Sequence, residues 1–274
     1  MKKNLKGGIR LFLWIVTVAV GTVLVHYANR ILLTDSFVIP GSSMSPTLNK
    51  GDRVYVCKPL FGPRIYTSLK FTRGEPLHSI RLPGLRKIRP GDVIVFNYPF
   101  GHDDWSRIEF RINYVYCKRV LGCPGDRIGI AEGHSWNDRI LRPIGVLENQ
   151  EMLRNSRDSI ASVGYLFNAI PLSLPEWNVL DMGPLTVPAE NLTVQMTAFN
   201  AELYRLVIEY ETGLRLTVSD CGVTLSDGTA IREYTFRQNW YFALGDNSPD
   251  SRDSRYFGFI PESFIVGIVT RVRH

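Results

Sequence analysis

A run of closely spaced serines lies in the N-terminal fifth of the chain. Residues 40–50 read PGSSMSPTLNK, which places Ser42, Ser43 and Ser45 directly before Pro46. A serine hydroxyl is a weak nucleophile at neutral pH, so catalysis by one of them would require an activating base and a scaffold that holds it still. The run comes shortly after an apolar stretch, and a serine held there would lie at a membrane surface.

That apolar stretch predicts a membrane anchor. Residues 11–28 carry no formal charge, whereas residues 1–10 carry four basic residues and no acidic one. A helix of this length crosses a hydrocarbon core of about 30 Å if His26 and Tyr27 lie at the interface. A removable signal sequence has a shorter apolar core, and cleavage after Ala28 would leave His26 where a small residue is preferred. We therefore predict a cytoplasmic segment over 1–10, a retained transmembrane helix over 11–28 and a remainder outside the cytoplasm.

Positive charge is concentrated in two blocks. The formal net charge is +6, residues 1–10 contribute +4 and residues 61–90 contribute +6, so the rest of the chain is acidic. The second block is interrupted by Pro and Gly and interleaved with apolar and aromatic residues. Beside an anchor, this pattern favours anionic lipid headgroups, with an ordinary solvated surface as the alternative, and argues against nucleic acid. Its basic residues are Arg64, Lys70, Arg73, Arg81, Arg86, Lys87 and Arg89.

From residue 35 onward, the hydrophobic pattern predicts an antiparallel β fold. Short segments rich in β-branched and aromatic residues are bounded by Gly, Pro, Asp or Asn. They predict strands over 36–40, 53–57, 92–98, 115–121, 127–130, 204–211, 214–218, 240–244 and 265–272. No long amphipathic helical pattern competes, although 188–203 is ambiguous.

A change in the sequence pattern over residues 131–232 predicts an insertion. This segment has long polar connections and few closely spaced turn motifs. The predicted fold is therefore mainly β: the transmembrane helix, a barrel-like antiparallel core formed by 35–130 and 233–274, and a second β-rich domain inserted over 131–232.

The cysteines and histidines form no recognisable site. Cys57, Cys117, Cys123 and Cys221 contain no CxxC pair, which argues against structural zinc, and their spacing assigns no disulfide. None of the five histidines lies in a partner motif for a Ser-His-Asp arrangement, and no G-x-S-x-G elbow is present. We predict neither a metal nor an organic cofactor.

Three motifs in a fixed order carry a family resemblance. PGSSMSPTLNKGD at 40–52, CKRVLGCPGD at 117–126 and GDNSPDSRDSRYFG at 245–258 resemble the nucleophile, lysine and C-terminal boxes of bacterial type I signal peptidases, which are membrane-bound Ser/Lys endopeptidases. GDVIVFNYP at 91–99 resembles the strand between the first two boxes, and the preceding anchor also matches.

The resemblance implies a role for individual residues. Ser43, directly before the methionine of the Ser-Met-X-Pro pattern, would be the nucleophile, and Lys118 of the Lys-Arg pair would be the general base. Ser251 would orient that lysine. Four further residues would form ion pairs that brace the boxes, namely Arg119, Asp246, Asp253 and Arg255.

A catalytic lysine needs an unusual environment. With an ordinary pKa of about 10.4, Lys118 would be a poor base at pH 7, so it has to be desolvated. Lowering its pKa to about 7–8 corresponds to roughly 3–5 kcal/mol of disfavoured charging, which burial can supply. Strand alternation puts Lys118 on the face of Tyr116 and Val120 and opposite Cys117.

The oxyanion hole is only half assigned by the sequence. The Ser43 backbone N–H is the expected first donor to a tetrahedral intermediate. Well-known Gram-negative members have a serine two positions before the nucleophile, where this chain has Gly41. The Gly41 backbone or the Ser42 hydroxyl remain as second donors, and we favour the backbone.

The resemblance implies acyl transfer with exported preproteins as substrates. Their signal peptides would end in small residues at the first and third positions before the cut, and the enzyme would lie in the bacterial cytoplasmic membrane with the secretion translocon as a transient partner. Phe37, Ile39, Met44 and Val95 are candidates to line shallow side-chain pockets, with core packing as the alternative. Two other functions stay open: a pilin-processing peptidase of the same fold, and an inactive, membrane-tethered peptide-binding β module. The latter would have no use for Ser43, Lys118 and Ser251.

Overall fold

The computed structural model describes residues 2–68, 70–71, 75–101, 104–161, 177–220 and 222–274. Its helices are α1 Lys2–Leu32, α2 Lys58–Phe61, α3 Leu147–Asn155, α4 Arg157–Ala161, α5 Ala198–Leu203, α6 Arg205–Thr212 and α7 Ser254–Phe257. Its strands are β1 Thr34–Val38, β2 Arg53–Cys57, β3 Arg64–Tyr66, β4 Ser79–Arg81, β5 Val93–Asn97, β6 Val115–Gly122, β7 Arg127–Ala131, β8 His134–Asn137, β9 Met182–Thr186, β10 Thr193–Gln195, β11 Leu216–Ser219, β12 Gly222–Leu225, β13 Glu233–Thr235, β14 Trp240–Leu244, β15 Ile260–Pro261 and β16 Ile265–Arg273. Two 3₁₀ turns lie at Ser248–Asp250 and Glu262–Phe264.

Helix α1 contains the apolar stretch and extends beyond it at both ends. Its segment Arg10–Leu32 has a mean hydropathy of 2.0 over 23 residues, and none of it is buried against the rest of the chain. Thr17 and Thr22 donate their hydroxyls to the carbonyls four residues earlier, each at 2.9 Å, so these polar groups are satisfied within the helix. By length and composition, this segment can cross a membrane.

The core of the described fold is one antiparallel sheet of seven strands. Their order is β1-β2-β16-β5-β6-β14-β15, and every neighbouring pair is antiparallel. The mainly β class is confirmed. Strand β6, with the lysine motif, lies inside the sheet between β5 and β14, so its backbone is hydrogen-bonded on both sides. The loop with the serine run connects the edge strand β1 to β2.

The predicted strand over 204–211 is wrong, because this segment forms helix α6. Its buried residues, Val207, Ile208, Tyr210 and Glu211, fall on one face at helical spacing. The buried Glu211 carboxylate accepts hydrogen bonds from Tyr234 Oη and Trp240 Nε1, both at 2.8 Å. A charged residue on the buried face disguises the amphipathic pattern in the sequence. The ambiguous segment 188–203 divides into β10 and α5.

The described part of 131–232 contains helices as well as strands. Strands β8 and β9 flank β7 in a separate three-stranded sheet, while β10–β13 and β11–β12 form two-stranded pairs. Apolar residues of this segment, such as Val207 and Ile208, belong to the same buried cluster as Phe96 and Trp240 of the main sheet. The segment therefore packs directly on the core, and the domain limits given above stay a prediction.

The second basic block is only partly a charged surface. Arg64 donates to the Ser263 carbonyl at 2.6 Å, and Arg81 donates to the carbonyls of Glu262 and Ile265, so both hold chain segments together. Arg86 pairs with Asp92 at 2.6 Å. Lys70, Lys87 and Arg89 are exposed. Arg73 and Cys221 lie outside the described residues, and the other three cysteines have free thiols.

Candidate active site

The loop between β1 and β2 holds Ser43 at the edge of an apolar cluster. Met44 and Leu48 are buried in this cluster together with Val95 of β5. The loop closes on itself through backbone bonds from Ser45 N to Ser42 O and from Leu48 N to Met44 O, each 2.9 Å. Because Met44 points into the cluster, its neighbour Ser43 is left half-exposed beside the sheet.

Lys118 reaches this serine from strand β6. Its side chain is 2% exposed, and its Nζ donates to Ser43 Oγ at 2.5 Å. Nζ also lies 5.8 Å from the centroid of the Tyr116 ring, two residues away on the same strand face. The two residues that the resemblance pairs, 75 positions apart in the sequence, are thus in direct contact.

Burial changes the acidity of the lysine. Desolvation is the largest influence and lowers the pKa of Lys118 to about 8, against the opposing field of Asp253. At pH 8 about half of the amines are therefore neutral and carry the lone pair that a general base needs. Burial likewise favours the neutral form of the neighbouring Cys117 thiol and raises its pKa to about 12.

An ion pair links the lysine strand to the C-terminal motif. Arg119 donates to both carboxylate oxygens of Asp246, at 2.7 and 2.5 Å, and to the carbonyl of Gly91 at 2.8 Å. Such a bidentate pair fixes orientation as well as distance. Since Arg119 follows Lys118 directly, this contact sets the position of β6 relative to residues 245–250.

A second ion pair is buried within the C-terminal motif. Asp253 and Arg255 are 0% and 2% exposed and make two parallel bonds of 2.9 Å. Burial alone would raise the pKa of Asp253, but Arg255, Lys118 and the Gly245 N–H together outweigh this effect and the pKa is lowered. The same carboxylate accepts the Gly245 N–H at 2.9 Å and caps helix α7 at Arg255 N.

Ser251 lies next to the dyad but does not contact the lysine as a hydrogen-bond partner. Its Oγ is buried and has no hydrogen-bond partner among the described residues. It packs on Gly245, where an added methyl group would overlap both Ser251 Oγ and the Ser43 carbonyl oxygen. The orienting role that the resemblance implies for Ser251 stays a prediction.

The two oxyanion candidates differ in their surroundings. The Ser42 hydroxyl donates to Asp250 Oδ2 at 2.5 Å, so this proton is already engaged. Gly41 is exposed, and a Cβ built on it would have no atom within 4 Å. This difference favours the Gly41 backbone over the Ser42 hydroxyl, and the second oxyanion donor stays a prediction.

The sequence comparisons assign this chain to a family. The sequence model described as "Signal peptidase, peptidase S26" matches residues 11–273. The chain belongs to this family. Signal peptidase I of Buchnera aphidicola subsp. Schizaphis graminum is 25% identical over 259 residues, which cover 92% of this chain and 71% of that protein. Signal peptidase I of Pseudomonas aeruginosa is 26% identical and is matched over 87% of this chain and 64% of its own length.

A solved structure is a weaker match. A signal peptidase I from Enterococcus faecalis is 18% identical, with a TM-score of 0.30, and the alignment covers 68% of this chain and 100% of that one. The family assignment therefore follows from the sequence matches over nearly the whole chain.

The candidate site includes two asparagines to which the sequence analysis gave no role. Asn247 donates its backbone N–H to the Ser43 carbonyl at 3.1 Å and its side chain to the Ser42 carbonyl at 3.2 Å. It lies within GDNSPDSRDSRYFG, so the motif was a signal for it. Asn149 of helix α3 donates to the Ser45 and Asp246 carbonyls. A lone asparagine in a polar segment gives no such signal.

Four apolar residues that we considered for substrate pockets lie together. Ile39, Met44 and Val95 are buried in one cluster, and Phe37 packs against it with Cys117. They adjoin the dyad because Met44 and Cys117 are its immediate chain neighbours. Whether this cluster receives substrate side chains stays a prediction.

Proposed function

We propose that this chain is a membrane-bound serine endopeptidase that removes N-terminal signal peptides from exported preproteins. The observation that carries the proposal is the Lys118 amine, buried, with a pKa of about 8 and 2.5 Å from Ser43 Oγ. A buried lysine whose amine bonds to the hydroxyl of a half-exposed serine has little structural value, whereas it supplies what nucleophilic activation requires.

The chemistry is acyl transfer in two steps. Ser43 Oγ attacks the scissile carbonyl while neutral Lys118 takes its proton, and Lys118 then gives that proton to the leaving amine. The acyl-enzyme is hydrolysed when Lys118 removes a proton from water, which attacks the ester; as the ester C–O bond breaks, Lys118 returns that proton to Ser43 Oγ. Each step moves a proton to or from Nζ, so the Nζ–Oγ distance governs both.

The substrate follows from the family and from the location of the site. The relatives named above are signal peptidases I, and we assign exported preproteins with small residues before the cut to this chain on that basis. Helix α1 would anchor it in the bacterial cytoplasmic membrane, and the chain enters β1 only two residues after this helix. The dyad then acts close to the bilayer, where a signal peptide emerges from the translocon.

Lipid headgroups remain proposed partners of the surface near the anchor. Leu82 and Leu85 are 41% and 79% exposed, and the exposed bases Lys87 and Arg89 follow them in the chain. Apolar side chains beside basic ones suit the boundary between acyl chains and anionic headgroups.

The test is cleavage of a purified exported precursor by the full-length protein in detergent. We expect Ser43→Ala and Lys118→Met each to lower kcat by on the order of 10⁴-fold or more, because each removes one half of the proton-transfer pair. Ser45→Ala and Lys50→Met are matched controls in the same loop and should cleave like the wild type, since Ser45 Oγ bonds to Asn49 and Lys50 is exposed.

The same assay separates the competing functions. N-terminal sequencing of the product should show a cut after small residues at the first and third positions. A protein that cleaves pilin precursors alone would be the specialised peptidase, and one that binds precursors but leaves them intact would be a binding module. Full cleavage by either dyad variant would refute the assignment of Ser43 and Lys118.

A further inference from the structure

One asparagine connects the nucleophile loop to the C-terminal motif. Asn149 lies on helix α3, and its Nδ2 donates to the Ser45 carbonyl at 2.9 Å and to the Asp246 carbonyl at 2.7 Å. The two acceptors are 201 positions apart in the sequence, and both bond to this amide. Both N–H bonds of the side chain are therefore used to join two parts of the active site.

The helix that carries Asn149 is itself held firmly. The neighbouring Gln150 is buried, donates to the Ile144 carbonyl at 2.8 Å and accepts from Ser135 N of β8 at 3.1 Å. One turn later, Leu153 is buried with Val179 and Leu180, and Tyr256 of α7 packs against this group. Asn149 is thus presented to the site from a fixed support in the segment 131–232.

Each of its two acceptors is tied to one member of the dyad. Ser45 lies two residues after Ser43 in the closed loop. Asp246 holds Arg119, the residue after Lys118, through the bidentate ion pair. Together with the Asn247 bonds to the Ser42 and Ser43 carbonyls, this amide contributes to the distance between the serine side and the lysine side of the site.

We propose that Asn149 is a positioning residue that holds Ser43 within proton-transfer distance of Lys118. It touches neither reacting atom and acts through the Ser45 and Asp246 carbonyls. The proposal rests on the dyad assignment made above, and it gives the segment 131–232 a function in catalysis. A misplacement of about 1 Å between reacting groups costs up to about 10²-fold in rate, which sets the size of the expected effect.

Two variants of the full-length protein test this. Asn149→Ala removes both donors, and we expect kcat on the precursor to fall about 10- to 100-fold with KM unchanged within about twofold. Asn149→Asp keeps the shape but turns an anionic acceptor toward two carbonyls, so we expect a larger loss than for alanine. An acidic residue in the first turn of a helix stabilises the helix itself, so this second loss would not come from unfolding of α3.

The matched control is Asn155→Ala, an exposed asparagine on the same helix, which should keep wild-type kcat and KM. Thermal unfolding of all variants is measured in the same detergent. The proposal is overturned if Asn149→Ala cleaves normally, if Asn149→Asp is as active as Asn149→Ala or more so, or if activity falls only as far as the folded fraction does.

Ser43→Ala is run in parallel to keep two failures apart. If Ser43→Ala is inactive while Asn149→Ala is normal, only the positioning role fails. If Ser43→Ala cleaves fully, the dyad assignment fails as well.

Discussion

At the scale of single residues, the site depends on burying a lysine where its protonated, charged form is destabilised. Moving the pKa of Lys118 from 10.5 to about 8 corresponds to a charging cost on the order of 3 kcal/mol. The C-terminal motif opposes part of this cost, since Asp253 favours the charged amine. Burial prevails because the amine is enclosed by β6, Tyr116 and the serine loop. The pKa of this amine is thus set chiefly by removal of water.

This tuning predicts the pH dependence of the reaction. Lys118 accepts a proton only when neutral, so kcat/KM should rise with pH through about 8 and level off above it. Below this range, the rate should fall about tenfold per pH unit because one proton blocks the base. The measurement is initial cleavage rate at substrate concentrations far below KM between pH 6 and 10. A midpoint near 10, where an exposed lysine titrates, would contradict a desolvated base.

At the scale of structural elements, the three boxes are joined by contacts of different strength. The four bracing residues expected from the motifs lie in two ion pairs: Arg119–Asp246 links β6 to the C-terminal motif, and Asp253–Arg255 is internal to that motif. The motifs therefore predicted which residues lie near the dyad. They did not predict how these residues are paired, because pairing depends on the register of β6 against β14.

The buried pair should be far more costly to break than an exposed one. Asp253→Ala leaves Arg255 and the Gly245 N–H buried without their shared acceptor, so we expect a loss of about 3–5 kcal/mol in the free energy of unfolding. For a chain of this size, that lowers Tm by on the order of 10 °C. Arg154→Ala, which breaks an exposed 3.0 Å pair with Glu132, should cost less than about 1 kcal/mol. Calorimetry of both variants measures the two shifts in Tm. Equal shifts would show that the buried ion pair stabilises the fold no more than the exposed one.

Secondary structure was predictable where the hydrophobic pattern is local. Strands β2, β5, β6, β14 and β16 fall at or within two residues of the segments expected from β-branched residues and turn signals. Helix α6 was not predicted, because the charged Glu211 on its buried face obscures the helical spacing of its apolar residues. That carboxylate is stabilised by Tyr234 and Trp240, which lie 23 and 29 residues further along the chain. Only the tertiary structure reveals why it is buried.

At the scale of the whole molecule, the segment 131–232 is more closely connected to the site than its sequence suggests. It shares the main hydrophobic cluster with the seven-stranded sheet, and through α3 it contacts both the serine loop and the C-terminal motif. The polar connections and sparse turn motifs of the sequence set this segment apart. They did not predict these contacts, because the contacts come from single polar side chains that belong to no motif. A chain that lacked this segment would lose the Asn149 bonds that join the serine loop to the C-terminal motif.

The orientation of the molecule in the membrane is the last prediction. Four basic residues precede the apolar span and Arg30 alone lies near its other end, where it pairs with Asp35 at 2.9 Å. The positive-inside rule then places the N-terminus in the cytoplasm and the dyad on the outer side.

This orientation is tested by protease protection of the full chain with an N-terminal epitope. Protease added to intact spheroplasts should digest residues after the helix and leave a small tagged fragment, and permeabilisation should expose the tag as well. Replacing Lys2, Lys3 and Lys6 with glutamine should weaken this preference and protect part of the population from digestion. A tag that is digested in intact spheroplasts, with the β core protected, would place the site in the cytoplasm, where it could not meet translocated signal peptides.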